Sequence, residues 1–237
     1  MTVDPVAVAD RLARLRARIA AAESAAGRSP GSVRLLLATK TQDADTIRAA
    51  LVADTGNPHP VLIGENRGQE LVAKGPLLQD LGATTHLIGP LQSNKVNAAL
   101  RWASCIESVA SLDLAQRLAT RSSGVQVYVQ VNVSGEATKH GVAPADAVEL
   151  ATAVGALDGL RLTGLMTVGA NSRDAGEVRA GYALLRTLRD EIIASGAPGT
   201  ADARELSMGM SGDLELAVAE GATVVRVGSA LFGARPA

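Results

Sequence analysis

The sequence predicts an α/β chain folded as a single (β/α)8 barrel, with one extra helix ahead of the first strand. Three observations carry this. Short apolar runs recur eight times along the 237 residues, a helix-like segment follows each of the first seven, and no composition break or long linker interrupts the alternation. Several runs are apolar at successive positions, as parallel strands are when helices cover one face and a packed barrel centre the other. A doubly wound open sheet shares the alternation and is the competing architecture. The length suits one barrel domain spanning 1–237.

The leading helix is expected over 5–25. Val8, Leu12, Leu15, Ile19 and Ala22 recur at intervals of four and three, while Arg11, Arg14, Arg16, Arg18 and Glu23 occupy the other face. Gly27 and the Ser29-Pro30-Gly31 run end it. Strands are expected at 33–39, 60–64, 84–88, 103–107, 125–133, 160–168, 204–208 and 222–227. The intervening helices are expected at 43–54, 66–80, 92–101, 111–122, 144–157, 174–195 and 212–220, and a short LFGARPA tail follows the last strand.

Composition excludes several classes of function. A net charge of −1 gives no electrostatic footprint for nucleic acid, and 2% aromatic residues leave no base-stacking platform. Cys105 is the only cysteine, and His59, His86 and His140 show no metal-ligand spacing, so neither an intrachain disulfide nor a metal cluster is expected. Charges interrupt every apolar run, and Asp4 and Pro5 stand where a signal peptide needs basic residues and then an apolar stretch. The expectation is a cytoplasmic chain with no membrane and no nucleic-acid partner.

A barrel of this kind places its site at the C-terminal ends of its strands, and phosphate groups are often held by the loops after strands seven and eight. Here those loops read Ser207-Met208-Gly209-Met210-Ser211-Gly212-Asp213 and Arg226-Val227-Gly228-Ser229-Ala230. Glycines let backbone N–H groups approach an anion, and the serines add hydroxyls. Ser211 is expected to cap the helix at 212–220. Lys40 ends strand one, which neighbours strand eight in a closed barrel, so its amine reaches whatever that cup holds. It is either a charge partner or a Schiff-base lysine. The latter demands a deprotonated amine, which the neighbouring Arg226 and partial burial favour.

Asn66, in the loop after strand two, is a hydrogen-bonding candidate. His86 reads as a strand histidine with no identifiable carboxylate partner, Lys95 and Lys139 equally as rim groups or as solvated surface charges, and Met166 as packing. Asp213 stands where a nucleophile elbow needs its second glycine. No dinucleotide or P-loop motif follows a strand.

Seven segments in order resemble the pyridoxal-phosphate homeostasis protein family, of the proline synthetase co-transcribed type, over essentially the whole chain. They are LLLATKT (35–41), IGEN (63–66), HLIGPLQSNK (86–95), VNVSGEATKHG (131–141), GLMT (164–167), LSMGMSGD (206–213) and VRVGSALFG (225–233). The resemblance implies a fold-type III barrel similar to the N-terminal domain of alanine racemase. It implies pyridoxal 5'-phosphate (PLP) on Lys40 as a Schiff base, phosphate held by Ser211, Gly228 and Ser229, Arg226 facing the pyridine nitrogen and Asn66 close to the cofactor. Ile63 stands where the family often has phenylalanine.

Racemases similar to this chain carry a second β-domain whose tyrosine, from the partner subunit, is the second acid/base. No such domain is expected after the last strand, and Tyr128 and Tyr182 offer no evident substitute. The expectation is therefore a monomeric PLP carrier in cofactor homeostasis, supplying apo-enzymes without robust catalysis. Two alternatives are a weak amino-acid racemase or other PLP enzyme, and a cofactor-free Schiff-base aldolase.

Overall fold

Each apolar run becomes a strand in a computed structural model that describes residues 4–233. The strands are β1 (Arg34–Ala38), β2 (Leu62–Glu65), β3 (Thr85–Leu87), β4 (Cys105–Val109), β5 (Val125–Gln130), β6 (Leu160–Met166), β7 (Glu205–Ser207) and β8 (Val224–Val227). The helices are α1 (Pro5–Ala25), α2 (Ala44–Ala53), α3 (Gly68–Leu78), α4 (Val96–Ala99), α5 (Leu112–Ala119), α6 (Pro144–Gly155), α7 (Ala175–Ala194), α8 (Leu214–Ala219) and α9 (Ser229–Phe232). The sheet is parallel, in strand order one to eight, and closed: β1 pairs with β8 from Arg34↔Val224 to Leu37↔Val227. That closure decides against the open sheet.

Strand alternation divides the apolar residues into two layers. Leu35 and Leu37 point outward and join the core that includes Val8, Leu12, Leu15 and Ile19 of α1. Leu36, Leu62 and Val224 cluster at the barrel centre with Ile88, and Cys105, Tyr128 and Met166 form a second central cluster. Space there is tight. A Cβ on Gly64 would lie 2.2 Å from Leu36 Cδ2, so this inward position needs a glycine.

The charged face of α1 does not simply face water. Arg16 bonds Asp54 Oδ1 through Nε (2.9 Å) and an Nη (2.5 Å). Arg18 donates to Ser211 O (2.7 Å) and pairs with Glu215, and Arg11 donates to Leu231 O (3.1 Å). Glu23 is only 3% exposed. Its carboxylate accepts from Gly31 N (3.1 Å), Ser32 Oγ (3.2 Å) and Val33 N (2.7 Å), which fixes the turn into β1.

Several boundaries differ from the sequence reading. The helix expected over 92–101 is a 3-10 turn at Ser93–Lys95 followed by the single turn of α4. The strand expected over 125–133 stops at Gln130, because Asn132 N bonds Val142 O and turns the chain into a closed loop. Ser211 does not cap α8. That helix starts at Leu214 with Asp213 before it, and the Asp213 side chain is committed elsewhere. The LFGARPA tail begins as the end of α9, and residues 1–3 and 234–237 lie outside the described ones. Among the described residues no helix is long and apolar enough to cross a membrane.

Glu23→Ala strands buried backbone donors and should lower the unfolding free energy by about 2–3 kcal/mol. The urea midpoint reads this at unchanged slope. A loss under about 0.5 kcal/mol, the size expected of an ordinary surface change, would show that the carboxylate is dispensable to this turn.

Candidate functional site

The rim of the barrel is built where β1 runs out. Thr39 is fully buried; its N–H donates to Gly64 O (3.0 Å) and its hydroxyl to Glu65 Oε1 (2.6 Å). Lys40 follows, half-buried. Thr41 then adopts φ +68°, the one positive φ outside glycine among the described residues. A β-branched residue is strained there, and its amide is held by Glu70 Oε2 (2.9 Å). Lys74 ties both ends together from α3, donating to Thr39 O (3.0 Å), Glu65 Oε1 (2.9 Å) and Glu70 Oε2 (2.9 Å). The residues on either side of Lys40 are thus anchored to one helix. Burial raises the Glu65 carboxyl from its ordinary value against the pull of Thr39 and Lys74. Burial also works on Glu70, but Lys74 and the Thr41 amide outweigh it and hold that carboxyl low.

Lys40, Asn66, Ser211, Arg226, Gly228 and Ser229 all line one cavity of about 410 Å³. The structure therefore brings together the six residues expected around the ligand, while His86, Lys95, Lys139 and Met166 lie outside this lining. Ala38, Ile88 and Phe232 supply apolar wall, and no carboxylate lines the cavity among the described residues. The loop after β7 is pinned from two sides. Asp213 accepts from Met210 N (2.6 Å) and from the Tyr182 hydroxyl (2.8 Å), and Arg18 holds Ser211 O. Ser229 and Ala230 open α9, where first-turn N–H groups have no partner within a helix.

Arg226 reaches this cavity from inside the barrel, 6% exposed. It donates to Ser207 Oγ (2.8 Å) and Thr167 O (2.5 Å). Ser207 in turn donates to Glu107 Oε2 (2.6 Å), and the other oxygen of Glu107 lies 2.6 Å from His86 Nδ1. His86 therefore does have a carboxylate partner, contrary to the sequence reading, supplied by the neighbouring strand β4. Burial acts to raise the Glu107 carboxyl, but His86, Arg226 and Ser207 outweigh it and hold the group below its ordinary value. Burial lowers the Arg226 guanidinium, although it remains charged at any ordinary pH.

Lys139 is not a solvated surface charge: it bonds Glu136 Oε1 (2.7 Å) and Gly169 O. Lys95 is exposed, and Met166 is buried packing. Sequence reasoning missed Glu65, Lys74, Glu107 and Tyr182. A signal for Glu107 existed: a lone carboxylate inside the apolar CIESV run must find partners, and alternation points it at the barrel centre.

Tyr128 and Tyr182 are both fully buried, and burial pushes both hydroxyls above the ordinary tyrosine value, with Asp213 adding to the effect at Tyr182. Among the described residues no group of three His, Cys, Asp or Glu side chains is placed to hold a metal ion. Chemically the cavity offers an amine, a guanidinium, three hydroxyls (Thr41, Ser211 and Ser229), two side-chain amides and glycine backbone. A Cβ at Gly228 would come 3.3 Å from Ala38 O, while one at Gly212 would meet nothing within 4 Å. This donor set fits a phosphorylated aldehyde.

Fold and cavity together define a barrel of the alanine racemase type: the model of the family described as alanine racemase, N-terminal domain, matches residues 6–236. A pyridoxal phosphate homeostasis protein of Pseudomonas aeruginosa is 43% identical over 232 residues, 96% of each chain. The crystal structure of an unknown protein from Bifidobacterium adolescentis is 46% identical, with a TM-score of 0.90 over 98% of each chain. PipY of Synechococcus elongatus PCC7942, solved with PLP bound, is 37% identical, with a TM-score of 0.80 over 95% of this chain and 100% of that one. The chain belongs to the pyridoxal phosphate homeostasis protein family.

Glu107→Gln should cost on the order of 3 kcal/mol at neutral pH, because it breaks a buried charged network. The native carboxyl lies below its unfolded value of 4.5. Its stabilisation is therefore present above that value and is lost as pH falls through the lower folded one. Urea unfolding at about pH 7 and pH 3 should show the gap between wild type and variant narrowing in acid; a gap independent of pH would contradict an ionised Glu107.

Proposed function

We propose that this chain binds PLP in the 410 Å³ cavity, carries it as a Schiff base on Lys40, and serves cofactor homeostasis without robust catalysis. The observation that carries the reading is the convergence of Lys40, Asn66, Ser211, Arg226, Gly228 and Ser229 on one acid-free cavity. Ser211, Ser229 and the backbone at Gly228 hold the phosphate, Arg226 faces the pyridine nitrogen, and Asn66 hydrogen-bonds the ring substituents. When bound, the cofactor supplies a reactive aldehyde and an electron-withdrawing ring.

The chain's own groups favour holding over turnover. Arg226 offers only donors, so it cannot accept the proton of a protonated ring nitrogen, and the ring stays a weaker electron sink. Its buried chain through Ser207 to Glu107 keeps it in place. Racemisation needs a proton removed on one face and returned on the other, and both tyrosines are sealed in the interior, one of them spent on Asp213. A carrier that holds and releases PLP, with apo-enzymes as recipients and a monomer in the cytoplasm as its working form, fits these constraints. The racemase reading keeps one support, the shared family fold, and is separated by experiment.

PLP added to the chain should give a yellow protein whose visible band is lost or strongly altered in Lys40→Ala. A chain that stays colourless and takes up no PLP would overturn the reading altogether. In heavy water, the loaded protein should exchange the α-proton of L- or D-alanine no faster than free PLP, followed by proton NMR. Exchange well above that control, and abolished by Lys40→Ala, would make the protein an enzyme.

A further inference from the structure

Lys40 sits inside a tight turn that its own sequence disfavours. Gln42 N donates to Thr39 O (3.0 Å), closing a four-residue turn with Lys40 and Thr41 at its centre. Only the second of these two has a positive φ, +68° at Thr41. That sign pattern is the type II turn, whose third position is ordinarily glycine or asparagine. Turning over the peptide between Lys40 and Thr41 would give a type I turn, with a φ that threonine tolerates. Both ends of the turn are fixed. Thr39 is buried and bonded to Gly64 and Glu65, and Asp43 caps α2 by accepting from Thr46 N (2.8 Å). The central peptide is the part left to choose.

Glu70 makes that choice. Its Oε2 accepts the Thr41 N–H (2.9 Å), which belongs to the peptide that would turn over. The same oxygen is ion-paired with Lys74 (2.9 Å), one helical turn on, so the acceptor is itself held in place. In the alternative turn the N–H would point away and the Lys40 carbonyl would face the carboxylate, so the flip is opposed twice. Lys40, Thr41 and Gln42 all line the cavity of about 410 Å³. The flip would therefore exchange an N–H for a carbonyl in the wall beside the amine. We propose that Glu70 is a positioning residue for Lys40: it keeps the 40–41 peptide in the turn that leaves this wall, and the amine projecting from it, shaped for the cofactor. The role toward the cofactor rests on the function proposed above, whereas the hold on the turn does not.

A double-mutant cycle tests the role, with PLP affinity read from the visible band of the bound cofactor. Glu70→Ala should weaken PLP about ten-fold in the Thr41 chain, since only a fraction of molecules then hold the strained turn. In the Thr41→Gly background the same change should cost less than about two-fold, because glycine keeps a positive φ without help. Removing a negative charge beside an anionic ligand would by itself tighten binding, so a loss reports geometry. Glu70→Gln keeps an acceptor for the amide and should stay within about three-fold of wild type. The Glu70 side chain is 23% exposed, so its removal opens no cavity in the core, and circular dichroism checks that each variant is folded. An equal loss in both backgrounds, no loss in the Thr41 chain, or Glu70→Gln as weak as Glu70→Ala would overturn the role.

A second readout needs no cofactor. Crystals of Glu70→Ala without PLP should show residue 41 at a negative φ, whereas the wild-type chain keeps it near +68°. A φ that stays positive without the carboxylate would overturn the hold on the turn. A wild-type chain that takes up no PLP would sink the proposed function and the role of Glu70 toward the cofactor with it, while φ at residue 41 would still decide the turn.

Discussion

The mouth of this barrel depends on the seam between β1 and β8. Leu37 and Val227 lie opposite each other there, Gly228 follows one strand and Lys40 lies two residues beyond the other. In an open sheet with the same strand order, those segments would sit at opposite edges, roughly 34 Å apart at about 4.8 Å per strand. Closure alone makes an amine and a glycine-serine loop into neighbours. It also brings Arg226 under them, since Arg226 is in register with Leu36 across the same seam.

Two polar assemblies then work on opposite faces of the strand wall. Inside the barrel, the chain from His86 through Glu107 and Ser207 ends at Arg226 and fixes a cation beneath the cavity. Outside it, Lys74 and its two carboxylates hold the backbone that presents Lys40. Buried charges of this kind add little net stability over apolar packing. What they contribute is placement: the guanidinium has two fixed acceptors, and Thr41 is kept at a φ that a threonine avoids in isolation.

The fold and the cavity lining were largely legible in the sequence, because they follow from local signals. The apolar runs gave the strands, and the glycine-serine loops at the ends of β7 and β8 named the cup. Long-range polar pairing was less accessible. Nothing local says that His86 meets Glu107, 21 residues on, or that Lys74 reaches back 35 residues to Thr39. Those pairs depend on strand register and on which face each residue takes, and a one-residue shift in register reverses both. Ser211 misled for a related reason. A serine just ahead of an apolar run reads as a cap, but Asp213 and the Arg18 contact draw the loop into another shape, and the helix begins two residues after the expected 212.

Helix α1 has a temporal meaning as well as a spatial one. Its Arg18 grips a carbonyl 193 residues downstream, and its Arg11 grips one 220 residues downstream. Synthesis delivers α1 near the start and its partners near the end, at about 5–20 residues per second. Arg16 meets Asp54 early, but for most of translation Arg11 and Arg18 lack their carbonyl partners, and the loops after β7 and β8 lack their brace. The cavity lined by Lys40, Ser211, Arg226 and Ser229 is therefore closed only once the last strand has paired with the first.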